Sequence, residues 1–262
     1  MREDQGQGKR KDKDVARADS LRIGYGKKTV AEGIHFSLQA GEILALVGPN
    51  GSGKSTLLKT IAGFLPPQGG ELFLGGERTE QMKRSQRARF LSVVTTLRPD
   101  AQWMKVWDVA ASGRYPYTGK LGNLSDEDRR IVEEAITRLK ADDLRDCYFN
   151  ELSDGQKQRV LLAKSIAQKP KLLVLDEPAS FLDIRYQLEF MQIARDLARE
   201  RGMALMMSLH EISIAKNLAD RVLTLKDGRQ DETGGANLLT EEYIRRLYGI
   251  PDGLSMEGIN GI

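Results

Sequence analysis

The run Gly48-Pro49-Asn50-Gly51-Ser52-Gly53-Lys54-Ser55-Thr56 constrains the fold more than any other feature of the chain. It matches the pattern G-x-x-x-x-G-K-[ST], and its flanks are the ones that pattern needs. Before it stands Ile43-Leu44-Ala45-Leu46-Val47, a continuous apolar run that reads as a strand buried on both faces. After it, residues 55–64 read as a helix that stops before Pro66-Pro67. Glycines let the backbone wrap a phosphate chain and aim successive N–H groups at it, and the helix N-terminus adds partial positive charge. In such a loop Lys54 reaches the β- and γ-phosphates of a nucleotide, and the Ser55 hydroxyl ligates Mg²⁺. The run implies nucleotide binding without yet saying what the binding is for.

Further buried-strand candidates are residues 91–94, 172–175 and 204–209. Strands alternating with helices at this spacing predict an α/β core with a mostly parallel sheet. Residues 21–25 and 34–38 alternate apolar with polar and read as short strands joined by a Gly/Lys turn, while residues 221–225 lead into Asp227-Gly228, a hairpin signal. Between about residue 97 and residue 158 the strand signals stop. There Ser125-Asp126-Glu127-Asp128 caps a helix with Ile131, Val132, Ala135, Ile136 and Leu139 on one face. This predicts a helical subdomain inserted in the core. Tyr243, Ile244 and Leu247 predict a terminal amphipathic helix.

Composition narrows the class. With 262 residues, 40% apolar and 29% charged, the chain suits a globular protein with one large domain, expected over residues 15–250. A net charge of +3 gives no concentrated basic face, so no nucleic-acid partner is expected. The single cysteine, Cys147, supports no internal disulfide framework, fits a reducing cytosol and reads as a small apolar filler. No stretch approaches the ~18–20 apolar residues that span a bilayer. Residues 1–14 lack the apolar core of a secretory signal and read as a solvated, disordered basic tail, and residues 251–262 as a C-terminal tail.

Two more motifs carry chemistry. Leu172-Leu173-Val174-Leu175-Asp176-Glu177-Pro178 is an apolar strand ending in two carboxylates. It places Asp176 beside the P-loop Mg²⁺, and Glu177 where a water attacks the γ-phosphate. Leu152-Ser153-Asp154-Gly155-Gln156 opens a helix between the P-loop and that strand, and a Ser and a Gly at a helix N-terminus form a second anion site. One subunit cannot bring both anion sites to one γ-phosphate, because the second lies in the helical insertion.

The set resembles the ATPase subunits of ABC transporters, whose signature reads L-S-G-G-Q. The resemblance runs from about Val15 to Gly249 and implies a P-loop NTPase fold: a RecA-like, mostly parallel core with an antiparallel β subdomain and an inserted helical subdomain. It implies a head-to-tail homodimer sharing two ATPs, in which Ser153, Asp154, Gly155 and Gln156 meet ATP held by residues 48–56 of the second subunit. Glu177, His210 and Lys54 are then catalytic, with Mg²⁺ held by Ser55 and Asp176. Tyr25 resembles the aromatic that stacks on adenine, Asp183 in Ser180-Phe181-Leu182-Asp183 the aspartate carried across the dimer interface, and His210 the switch histidine that contacts the γ-phosphate. His35, in an early strand, reads as structural.

Residues 106–117, VWDVAASGRYPY, resemble the subfamily that imports iron–siderophore, haem and vitamin B12, where this segment lies beside the groove for the permease's coupling helix. That implies a ten-helix-type membrane permease, a periplasmic or lipid-anchored substrate-binding protein acting indirectly, and a cytoplasmic location, peripheral on the inner face of the plasma membrane. Thr96 and Arg114 are then the expected coupling residues. The alternative is the ATPase subunit of an exporter or of an importer for another substrate. Two departures stand out: Asp154 replaces the second signature residue, normally glycine, and Thr96 stands where the family usually has a glutamine. Gln102 substitutes for it only if the loop folds back.

Overall fold

The computed structural model describes residues 14–95, 101, 103–119, 122–179, 183–252 and 254. Thr96, Gln102 and residues 180–182 therefore lie outside the described residues. Ten strands form one sheet: β1 (Asp14–Tyr25), β2 (Lys28–Gln39), β3 (Ile43–Val47), β4 (Gly69–Leu74), β5 (Glu77–Arg78), β6 (Leu91–Val94), β7 (Leu172–Asp176), β8 (Ala204–Ser208), β9 (Arg221–Lys226) and β10 (Arg229–Gly235). Their order is β5-β4-β1-β2-β10-β9-β3-β8-β7-β6. The β6-β7-β8-β3-β9 half is parallel, and the β5-β4-β1-β2 half is antiparallel. They meet through β10, antiparallel to β9 and joined to β2 at Arg229 and Glu32.

The period-2 geometry of a strand explains why the central runs are apolar throughout. In β3, Ile43, Ala45 and Val47 face one hydrophobic cluster, and Leu44 and Leu46 face the other. In β7, Leu173 and Leu175 share the first cluster, and Leu172 and Val174 the second. Helix α1 (Lys54–Ala62) covers the second cluster with Leu57, Leu58 and Ile61 and ends at Gly63, whose φ of 81° reverses the chain.

On the other side lie α3 (Val106–Ala111), α4 (Asp126–Arg138) and α5 (Asp154–Ala167), while α2 (Arg84–Phe90) leads into β6. The expected cap of α4 is present: Asp128 N–H donates to Ser125 Oγ at 3.1 Å and Ser125 N–H to Asp128 Oδ2 at 3.0 Å. Ile131, Val132, Ala135, Ile136 and Leu139 are all buried. Helix α6 (Ile184–Arg201) follows β7, α7 (Ile212–Leu218) follows β8, and α8 (Glu241–Tyr248) closes the described chain. Tyr243 of α8 places its hydroxyl 2.5 Å from Thr224 Oγ1 and donates to Asp231 Oδ2 at 2.7 Å. Burial pushes that phenol's pKa up to about 12.

Candidate nucleotide-hydrolysis site

Strands β3, β8 and β7 are neighbours, so the loops leaving their C-terminal ends converge at one edge of the parallel sheet. In open α/β sheets ligands bind at that edge. The loop after β3 is the glycine-rich run. Gly48 has φ 153°, and a Cβ there would lie 2.1 Å from the Leu225 carbonyl oxygen, so only glycine fits between β9 and the loop. Gly53 caps α1 in the left-handed region, which turns the amides of the first helical turn toward the loop's mouth.

Lys54 is buried and donates to the carbonyls of Gly48 at 2.7 Å and Pro49 at 3.0 Å. Burial holds its ammonium below the ordinary lysine pKa, opposed by the charges of Glu177 and Asp176. Ser52 Oγ is buried and has no hydrogen-bond partner among the described residues. An unsatisfied hydroxyl inside a ring of amides is a place prepared for an anion's oxygen. The pocket is lined by Asn50, Gly51, Gly53, Lys54, Ser55 and Thr56 of the loop, with Val30, Glu177 and His210 on its walls. Tyr25, expected to face the base, ends β1 nearly half exposed and pairs with Lys28, two residues before Val30.

The loop after β7 carries the two carboxylates. Asp176 Oδ1 accepts from Ser55 Oγ at 2.9 Å and from Ser208 Oγ at 2.7 Å. Glu177 has φ 51°, a left-handed conformation that costs a non-glycine residue about 1 kcal/mol or more. Ser208 Oγ helps to hold it there, accepting from the Glu177 N–H at 2.9 Å. Ser208 is fully buried at the end of β8 and thus joins both carboxylate residues. It is the site residue missed in the sequence, where its only signal is one hydroxyl at the end of Ala204-Leu205-Met206-Met207. Ser208→Ala removes the hydroxyl that accepts from the Glu177 N–H and donates to Asp176, and so loosens Glu177. Steady-state assays are expected to show kcat about tenfold lower with KM for ATP within about twofold, the loss confined to the transition state; an unchanged kcat would refute this role.

Two residues beyond Ser208, the His210 ring places Nε2 2.6 Å from Glu177 Oε1. A carboxylate at the mouth of a phosphate loop, oriented by an imidazole, is the arrangement of a general base for water. Among the described residues no group of three or more His, Cys, Asp and Glu side chains gathers to hold a metal. Ser55 and Asp176 offer two oxygens, the kind of partial shell that Mg²⁺ completes with waters and substrate phosphates.

Ser153 and Asp183 lie on the helical side. Ser153 caps α5 with a capping box, its Oγ accepting from the Gln156 N–H at 3.3 Å while Gln156 Oε1 accepts from the Ser153 N–H at 2.9 Å. The Ser153 O–H proton stays available to a phosphate oxygen. Asp154 occupies the first turn of α5 and Gly155 is buried behind it. Asp183 caps α6, its Oδ1 accepting from the Tyr186 N–H at 3.0 Å.

Arg114, an expected coupling residue, lies inside the helical side. It is buried, its Nε donating to Asp128 Oδ1 at 2.8 Å and its Nη1 to the Ala167 carbonyl at 2.8 Å, with Tyr117 stacked on the guanidinium at 4.0 Å. The Ser125 hydroxyl, with Arg114, holds the Asp128 carboxyl below the ordinary range. Arg114 fastens α4 to α5 and leaves the surface beside it to Tyr115 and Pro116.

A glycine loop on a parallel strand, with an acid pair and a histidine on the adjacent strand ends, defines a P-loop nucleotide hydrolase. The ABC transporter family model matches residues 31–180, and the chain belongs to that family; it is an ATPase. It is 39% identical to the ABC transporter ATP-binding protein MJ0873 of Methanocaldococcus jannaschii, over 90% of this chain and 82% of that one. It is 32% identical to the iron(3+)-hydroxamate import ATP-binding protein FhuC of Bacillus subtilis (88% and 87%) and 33% identical to the ferric enterobactin transport ATP-binding protein FepC of Escherichia coli (89% and 87%). Among solved structures it is similar to a chain of an ABC transporter described as of the metal-chelate type, in an inward-facing conformation, with TM-score 0.80, 27% identity and coverage of 91% and 90%. CbiO1 of Clostridium perfringens, part of the cbiONQ complex, gives TM-score 0.77 at 26% identity, covering 89% and 94%. No helix among the described residues is long and apolar enough to cross a membrane.

Proposed function

We propose that this chain is the ATP-hydrolysing subunit of an importer for a metal chelate, an iron–siderophore complex, haem or cobalamin, and that it acts as a homodimer beneath a separate membrane permease. The observation that carries the reading is the surface built by the Gly113–Tyr117 segment together with α1 and α2. Pro116, Phe64, Arg84, Arg87, Leu91 and Lys164 line an open groove between the helical side and the sheet. Phe64 is 64% exposed on its rim, and burial lowers the pKa of Lys164 and of Arg87. The segment is built into the groove wall: Arg89 Nε donates to the Pro116 carbonyl at 2.8 Å, and Tyr117 OH to the Gln168 carbonyl at 2.9 Å. An exposed aromatic over a concave, cation-lined surface suits an amphipathic helix with an acidic edge. The relatives FhuC and FepC, named for iron(3+)-hydroxamate and ferric enterobactin, supply the substrate class.

In this reading ATP lies on residues 48–56 with its base toward Tyr25. Lys54 swings from its own loop carbonyls to the β- and γ-phosphate oxygens, and Ser52 donates to a phosphate. Mg²⁺, held by Ser55 and Asp176, supplies charge neutralisation on the phosphates. Glu177 accepts a proton from the attacking water, with His210 and Ser208 fixing its direction. Ser153 of the second copy, already anchored as a cap, donates its hydroxyl proton to the γ-phosphate across the interface.

Uptake of radiolabelled ferric hydroxamate, ferric catecholate, haem and cobalamin by cells with and without the gene tests the assignment. Loss of one of these uptakes, repeated by Phe64→Asp in a subunit that still binds ATP, is the expected result. Undiminished uptake of all four, or accumulation of a compound that normal cells expel, would remove the import reading.

A further inference from the structure

Tyr186 joins the two segments that the proposed homodimer presents to a second copy. At one end, its backbone N–H donates to Asp183 Oδ1 at 3.0 Å, the cap of α6. At the other, its ring packs on Gly155: a Cβ built there would be 3.1–3.2 Å from three ring carbons, a tight contact that the ring meets only by shifting a few tenths of an ångström. Arg159, one turn along α5, holds its guanidinium 5.0 Å from the ring centroid and pairs with Glu189. Arg185 approaches the same carboxylate at 3.3 Å. Beside the ring a narrow cavity between Gln158, Leu162, Phe190 and Ile193 separates α5 from α6, so the stacked ring and the ion pair carry the contact at this end of the two helices.

We propose that Tyr186 is a positioning residue that locks the signature turn, Ser153–Gln156, to Asp183 at the start of α6, so that both meet the second copy in one fixed register. A phenol ring has only two torsions, and with the Arg159 cation and the Gly155 backbone both packed against it, it has little freedom to tilt. It is also a second reason for glycine at position 155, since a side chain there presses on the ring and shifts it relative to Arg159. The inference rests on the homodimer proposed above and deepens it, because it assigns part of the dimer's assembly to a residue that touches no nucleotide.

Sedimentation of the full chain with Mg²⁺ and a non-hydrolysable ATP analogue measures dimerisation apart from turnover, and fluorescence titration of the same analogue measures binding to the single subunit. Tyr186→Ala is expected to weaken dimerisation by at least about tenfold while the analogue's affinity for the monomer stays within about twofold, and Tyr186→Phe, which keeps the ring, to match the wild type. Dimerisation of Tyr186→Ala at wild-type strength overturns the proposal. So does a parallel loss of monomer binding and melting temperature, which marks a general structural role. A wild-type chain that stays monomeric at saturating analogue overturns the homodimer itself, and the proposal with it.

Discussion

Glu177→Gln is expected to lower kcat for ATP hydrolysis by roughly 100- to 10,000-fold, the range that a positioned general base contributes. The substitution is nearly isosteric, so the left-handed turn at φ 51° and the hydrogen bond from its N–H to Ser208 Oγ need not change. An amide can still meet His210 Nε2, which lies 2.6 Å from the present carboxylate oxygen. What disappears is the acceptor for the water's proton. ATP affinity is expected to stay close to that of the wild type, and because ATP is not consumed, the nucleotide-bound dimer accumulates and is seen by sedimentation. Steady-state hydrolysis near the wild-type rate would mean that another group takes the proton, and the assignment of Glu177 would fall.

Lys54→Met is expected to separate binding from stability. The ammonium donates to two carbonyls of its own loop and is enclosed, and it is burial that lowers its pKa. A lysine whose folded pKa lies below its unfolded value binds its proton less well in the folded state, so folding is penalised while the group is charged. Methionine removes the charge at similar volume, and the melting temperature without nucleotide should hold or rise. The same change removes charge-assisted hydrogen bonds to the phosphates of about 1.5–3 kcal/mol each, so ATP affinity should fall by roughly 100- to 1,000-fold. Titration calorimetry and thermal melting check both halves, and retained affinity would place the phosphates away from Lys54.

Much of this site is legible in the sequence because its parts are local. A glycine loop between an apolar run and a helix, or two acids after a strand, shows its chemistry within a few residues, and β3, β6, β7 and β8 lie where continuous apolar runs put them. The expected antiparallel pair, by contrast, was too short. The strand expected at 21–25 begins at Asp14, because Ala16 and Ala18 are fully buried while carrying little hydrophobic signal. Strand β4 opens with Gly69-Gly70, which reads as a turn rather than as a strand. Helix α6 is absent from the expectations, although Phe190, Met191, Ala194, Leu197 and Ala198 mark its buried face at helical spacing.

The remaining differences come from contacts between residues distant in sequence. The burial of Arg114 is not visible in its neighbours in sequence, because it depends on the approach of Asp128 and the Ala167 carbonyl. Ser208 acquires its role from Asp176 and Glu177, which are brought to it by the pairing of β7 with β8. A lone serine ending an apolar run carries no mark of that.

The two-sided burial of β3 has a thermodynamic consequence. Ile43, Ala45 and Val47 belong to the cluster that includes the helices carrying the signature turn, and Leu44 and Leu46 to the cluster beneath the antiparallel strands. One five-residue strand is thus a party wall between two cores, and neither side can melt without stripping the other of its facing surface. The helical insertion and the sheet are therefore expected to unfold together, in a single cooperative transition that calorimetry would record as one peak. Nucleotide held at the end of that strand raises the melting point of both sides at once.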